Sequence, residues 1–236
     1  MKLQRDADTS TVAERGRAAP DAGTVRTTWT MWSAWAGVLG PVLFTAAYMA
    51  QEAYRGADFD SVALTVSALE AGPLGWIQQA NFAVFGLLTI AFALGLHRGP
   101  RPVRAGFAGP ALVLLSGVGL LLAAALPLRA DAAGNVYDPG GHLIAGMTFF
   151  LGSAVGLLAL APRLARDPRW NNLAAYSAVA GAVALAAFVL QVVFVLPEGA
   201  PLHDWAGLAQ RLVLLLVLFP CRIALSARLL RVARER

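Results

Sequence analysis

The sequence predicts an all-α integral membrane protein, a six-transmembrane-helix bundle with a short interfacial helix in the first outer loop. Three observations lead there. Of 236 residues, 58% are hydrophobic and 14% charged, where soluble domains carry about 25% charged residues. Six apolar stretches follow one another, each of roughly 20 residues, the length that crosses a hydrocarbon core at about 1.5 Å per residue. Arginines cluster in alternate connectors between them. A net charge of +5 would point to nucleic acid in a soluble protein, but in this pattern it reports topology, so no nucleic-acid partner is expected.

Residues 1–28 are polar and mixed in charge, with too little apolar surface to offset chain entropy, and they read as a disordered cytoplasmic tail. The membrane domain spans 29–228. Its first span is Trp32–Ala50. A cut after Ala50 would place Tyr48 at −3, which breaks the small-residue rule for a signal peptide, so the helix is expected to be retained. In the connector that follows, "FDSVALTVSALEAG" sets Val62, Leu64, Val66 and Leu69 among Ser, Thr and Glu. This reads as a short helix on, or dipping into, the interface and ended by Gly72-Pro73. The same alternation also describes a short strand.

The remaining spans are Trp76–Leu96, Ala108–Leu128, His142–Pro162, Leu173–Leu196 and Trp205–Ser226, and a basic cytoplasmic tail covers 229–236. Trp32, Trp76 and Trp205 sit near span ends, as an aromatic belt requires. Gly152 and Gly156 form a GxxxG pair that permits close helix contact. On one side of the bundle fall Lys2, Arg5, Arg15, Arg17 and Arg26, then Arg98, Arg101 and Arg104. Arg163, Arg166 and Arg169, then Arg228, Arg231, Arg234 and Arg236, join them. The opposite connectors hold only Arg55 and Arg129. Fifteen against two is a positive-inside bias that puts both termini in the cytoplasm of a multi-pass cell-membrane protein.

Polar residues inside the spans gather toward the outer end. Gln78, Gln79 and Asn81 open the second span, His142 opens the fourth, Gln191 is two turns from the outer end of the fifth, and Gln210 and Arg211 are about two turns into the sixth. Arg211 is the costliest and needs Glu70, Asp138, Asp204, free carbonyls or water. The pattern predicts an outward-facing polar vestibule with Arg211 at its floor and Gln79, Asn81, His142, Gln191, Gln210 and Arg211 as ligand-binding residues. The plainer alternative is that these side chains only pin helices together, at about 0.6 kcal/mol each. Arg222, deep on the other side, is expected to snorkel toward the basic C-terminus.

The chemistry-bearing residues are few. Asp138-Pro139-Gly140-Gly141 suits a turn and Asp138 a helix cap, whereas a carboxylate beside His142 would also suit general acid–base work, with Glu70, Asp138 and His142 as the candidates. His142 and His203, with a carboxylate, are the only metal-ligand candidates. No HxxxH or HExxH spacing brings them together, so neither a metal nor a cofactor is expected. There is no GxSxG elbow and no phosphate-binding loop, and a lone Cys221 excludes an intrachain disulfide.

The stretch "SALEAGPLGWIQQANFAVFGLLTIAFALGL" (Ser67–Leu96), the Gly141-His142 pair that opens a span, and "GLAQRLVLL" (Gly207–Leu215) together resemble the bacterial domain-of-unknown-function 998 family of small multi-span membrane proteins. The resemblance covers most of Trp32 to Arg231. It implies a six-span bundle with cytoplasmic termini and carries no assigned activity. The matched positions are Gly72, Pro73, Gly75, Trp76, Gln78 or Gln79, Asn81, His142, Gln210 and Arg211. Family members often have an acidic residue directly after the histidine, where this chain has Leu143.

The expected function is therefore binding of a small amphiphile, a lipid or a protein partner in the vestibule, with membrane lipids as the surrounding partners. The alternative is an integral-membrane enzyme acting on a lipid or isoprenoid-like substrate through Asp138, His142 and Glu70. A transporter comes third, on the helix breaks offered by Gly40-Pro41 and Leu126-Pro127.

Overall fold

A computed structural model describes residues 22–103, 106–197 and 199–235. Its helices are α1 (Ala22–Arg55), α2 (Gly75–Arg98), α3 (Ala108–Ala125), α4 (His142–Ala165), α5 (Ala174–Phe194), α6 (Ala206–Leu212) and α7 (Phe219–Arg234). A π-helical turn, Val213–Leu218, joins α6 to α7 without a break, so both belong to one span, His203–Arg234. Six helices among the described residues are long and apolar enough to cross a membrane, and the chain is a multi-pass membrane protein. The tail expected over 1–28 lies outside the described residues up to residue 21. From Ala22 the backbone is already helical.

Helix ends follow from proline chemistry. α3 stops at Ala125, short of the expected Leu128, because Pro127 disfavours a helical Leu126, which sits at φ −122° and ψ 64°. Pro41, by contrast, stays inside a continuous α1. Lacking an N–H, it leaves the Gly37 carbonyl without its usual helix donor, and Arg222 Nε donates to that oxygen at 3.2 Å. Arg222 therefore does not snorkel. It turns inward, donates also to the Thr89 hydroxyl at 2.7 Å, and lies against the rings of Phe85 and Phe92, each about 5 Å away. Pro220 acts similarly on the sixth span. It withholds the donor expected by Leu216, and the wider π turn absorbs the mismatch.

Consecutive spans pack side by side, α1 closes the bundle against α7, and α5 meets the sixth span chiefly at the π turn. Gly152 and Gly156 let α4 approach α3 so closely that added Cβ atoms would stand 2.9 Å from the Leu112 carbonyl oxygen and 3.3 Å from that of Gly109. A cluster of Phe44, Phe85, Phe149 and Phe219 fills the centre, with Phe44 stacked on Phe85 at 4.8 Å.

The two ends of the bundle differ. At the arginine end, Arg163 is buried and donates to the carbonyls of His97, Pro100, Arg101 and Gly106 at 2.7–3.2 Å, knitting the α2–α3 connector to α4. Asp167, fully buried, accepts from the Arg169 guanidinium and the Arg101 N–H. Those bonds, led by the Arg169 side chain, hold its carboxyl well below the usual range. The sixth span does not end near Ser226. Leu229, Val232 and Ala233 are buried against this end, and helix continues to Arg234 through most of the stretch expected to be a tail.

At the opposite end, the first connector carries a 3-10 turn, Val66–Ala71, whose Val66, Ala68, Leu69 and Glu70 are buried. This is the short helix expected there, dipping into the bundle. The α3–α4 connector folds into a ribbon, β1 (Arg129–Ala130) against β2 (Val136–Tyr137), paired Arg129 to Tyr137 and Ala130 to Val136. Its turn is tied by Asp131, whose carboxylate accepts from the N–H groups of Ala133 and Asn135. We call this the hairpin end.

Candidate functional site

At the hairpin end the first loop docks onto α6. The start of a helix leaves N–H groups without partners, and here the loop supplies them: Gly207 N–H donates to the Ala63 carbonyl at 3.2 Å and Leu208 N–H to that of Val62 at 2.9 Å. Only glycine fits at 207, because a Cβ there would collide with the Leu64 and Ser61 carbonyl oxygens. One turn on, Gln210 Oε1 accepts from Val66 N–H at 2.7 Å, and Arg211 donates to the Leu64 carbonyl at 3.0 Å. The Arg211 guanidinium also forms an ion pair with Glu52 at the end of α1. The Gly-x-x-Gln-Arg run is therefore a latch for the first loop.

Behind the latch, Glu70 reaches the start of α4. Its Oε2 accepts from Leu128 N–H at 3.2 Å and lies 3.2 Å from His142 Nδ1, while its Oε1 is buried with no hydrogen-bond partner among the described residues. Burial pushes the Glu70 carboxyl up to about 8, against the lowering effect of the Leu128 N–H. His142 Nδ1 also lies 3.0 Å from the Leu126 carbonyl oxygen. Two oxygens beside Nδ1 place the hydrogen there, leaving the neutral ring a lone pair on Nε2. The Ala123 carbonyl is a further hydrogen-bond partner of the ring, which lines a cavity.

Asp138 takes the bland role. It accepts from the N–H groups of Gly140, His142 and Leu143 at 2.8–3.2 Å, closing the turn and capping α4. Partial burial raises its pKa, but those three N–H groups outweigh this and hold the carboxyl below its ordinary value. No hydrogen bond joins its side chain to the His142 ring, so the carboxylate on the imidazole is that of Glu70.

The cavity measures about 420 Å³ and opens at the hairpin end. Leu128, Val136 and Tyr137 from the ribbon and the Thr65–Ser67 stretch form its rim. Phe149, Phe150, Phe188 and Leu214, each a turn or more deeper, form its floor. Its polar lining includes His142 from α4, Gln191 from α5 and Gln210 from α6, besides Thr65, Ser67, Tyr137 and Asp138. Gln191 is 7% exposed, and its amide makes no hydrogen bond among the described residues. Gln210 spends its oxygen on Val66 and leaves its nitrogen without a partner there. This volume and this mixture of an apolar wall with a few polar groups are typical of small-molecule sites.

The structure thus brings together four of the residues singled out in the sequence, Asp138, His142, Gln191 and Gln210, on one cavity, with Glu70 directly behind. It places the others elsewhere. Arg211, expected at the floor, is engaged by Glu52 and is not a lining residue. Asn81 donates to the Phe44 carbonyl and to Gln78 Oε1, tying α2 to α1, and Gln79 lies off the cavity. His203 hydrogen-bonds the Val195 carbonyl at the surface. Among the described residues no three of His, Cys, Asp and Glu converge as a metal site would require.

Glu52 was missed because it lies beyond the expected first span, Trp32–Ala50, whereas α1 runs on to Arg55 and carries it to Arg211. The ribbon was missed because its strands are two residues long, too short for alternation to register.

Residues 38–225 match the family described as "Protein of unknown function (DUF998)". The chain belongs to the DUF998 family. No curated protein and no solved structure matches it. In this DUF998 chain, the motif positions Gly207, Gln210 and Arg211 build the latch, and Gly75 packs so tightly under the Glu70 carbonyl that a Cβ would collide with it. In this chain these residues therefore hold the first loop in place beside Glu70 and His142.

Proposed function

We propose that this protein binds a single-chain amphiphile in the hairpin-end cavity, with the polar head beside His142, Gln191 and Gln210 and the chain against the aromatic floor. The observation that carries the reading is the Gln191 amide, which makes no hydrogen bond among the described residues and lines a largely apolar cavity. A ligand head would supply the partner that the protein does not. The arginine distribution supports a reading with this end outside and the termini in the cytoplasm.

Gly146 offers a clean test. It lines the cavity, and a Cβ there meets nothing within 4 Å, so Gly146→Leu fills the space without disturbing the wall. Long-chain monoacylglycerol should raise the apparent Tm of the wild type in detergent and leave Gly146→Leu unchanged. Equal shifts in both would remove the cavity from the account.

A second reading rests on the Glu70–His142 contact. A carboxyl group that holds an imidazole in place beside a substrate-sized cavity is an arrangement that suits a general base. It would serve an enzyme that takes a proton from water or a lipid hydroxyl. Incubation with acyl-ester amphiphiles tests it. Product release by the wild type that is lost in His142→Gln, with binding retained, supports an enzyme, and no turnover in the wild type rejects it.

A further inference from the structure

We infer that the cavity selects an uncharged head bearing both a hydroxyl and a hydrogen-bond acceptor, of the monoacylglycerol or long-chain polyol type, and rejects anionic and cationic heads. The inference rests on the amphiphile reading above and names its ligand class. It follows from an inventory of charge and of unused hydrogen-bonding atoms around the head-group position.

No lysine or arginine is among the described residues that line the cavity. The two guanidinium groups deepest in the bundle are committed elsewhere, Arg211 to Glu52 and the Leu64 carbonyl, Arg222 to the Gly37 carbonyl and Thr89. An anionic phosphate, sulfate or carboxylate entering here would lose its hydration with no countercharge, a cost of several kcal/mol per ion. A cationic head fares little better. Among the described residues the only lining carboxylate is that of Asp138, which already accepts three backbone N–H groups at the exposed rim. Glu70 lies behind the imidazole, and its own environment favours the protonated carboxyl up to about pH 8. A cationic head would therefore lose its hydration with no uncommitted carboxylate among the described lining residues to replace it.

What the position does offer is matched to a neutral head. His142 Nε2 is an acceptor fixed by the two oxygens at Nδ1. The Gln191 amide adds one acceptor and a donor group, and the Gln210 nitrogen is a second donor group. A hydroxyl donating to Nε2, with an ester or second hydroxyl oxygen accepting from a glutamine, satisfies both sides without moving any side chain that the latch employs. Gln210 is the bridge between the two: its oxygen holds the first loop at Val66 while its nitrogen remains for the head.

The test compares three amphiphiles of equal chain length at pH 7, monopalmitoylglycerol, hexadecyl sulfate and hexadecyltrimethylammonium, by native mass spectrometry of the full-length protein. The wild type should hold the glyceride at least tenfold more tightly than either ion. Gln191→Leu breaks no hydrogen bond within the protein, so it should fold normally and lose about tenfold for the glyceride, leaving the ions unchanged. Equal affinity for all three, or preference for an ion, overturns the head-group assignment while the cavity reading stands. If no amphiphile binds the wild type better than Gly146→Leu, the cavity reading itself fails.

Discussion

Arg211 and Arg222 show how an arginine inside a membrane bundle is stabilised by two different routes. Arg211 has a carboxylate partner in Glu52, with both side chains largely buried. Removing one member leaves the other charge poorly solvated, so Arg211→Ala should cost about 3 kcal/mol, and the Glu52→Gln/Arg211→Ala pair should cost less than the sum of the singles. A double-mutant cycle on apparent stability checks this. Arg222 has no carboxylate within ion-pair distance among the described residues and instead repairs the carbonyl freed by Pro41. Pro41→Ala would restore the helix donor to Gly37 and so relieve Arg222 of one bond. An Arg222→Met change should therefore be less damaging on that background than on the wild type.

Glu70 belongs to the same scale. The folded protein holds its proton up to about pH 8, whereas an unfolded glutamate releases it near 4.3. Over that window the folded state binds more protons, so stability falls as pH rises through it. Apparent Tm should decline between about pH 5 and pH 8, and Glu70→Gln should flatten the decline. An unchanged slope would mean that Glu70 is not the group responsible.

At the scale of elements, the first loop and α6 act as a unit. Gly207→Ala should loosen the loop, since its Cβ would meet the Ser61 and Leu64 carbonyls and Arg211. Amide hydrogen exchange at residues 62–68 should then rise severalfold while α4 and α5 remain protected. The spans were legible in the sequence because apolar length and arginine placement are properties of each segment alone. The latch was not, since Gln210 and Val66 lie 144 residues apart and only packing brings them together. Polar residues such as Gln191 and Asn81 looked alike for the same reason. One keeps its amide for the cavity, the other spends it on the Phe44 carbonyl.

The whole molecule is polarised between a knitted arginine end and a hollow hairpin end. Arg163 and Asp167 at the first satisfy backbone groups of the α2–α3 connector, so Arg163, one of the charges that look like topology signals, is also structural. The hollow end owes its opening to the sixth span, where α5 makes contact chiefly through the π turn. Orientation is checked by cysteine labelling on a Cys221→Ala background. Asp131→Cys should react with an impermeant maleimide in intact cells and Arg166→Cys only after lysis.

The claim that organises these expectations is that the cavity is occupied by one amphiphile. The direct measurement is native mass spectrometry of protein extracted from its host membrane without delipidation. The account predicts one retained adduct per chain in the wild type, of neutral head-group class, and none in Gly146→Leu. A wild type that carries no adduct, or a Gly146→Leu variant that carries the same one, would contradict it.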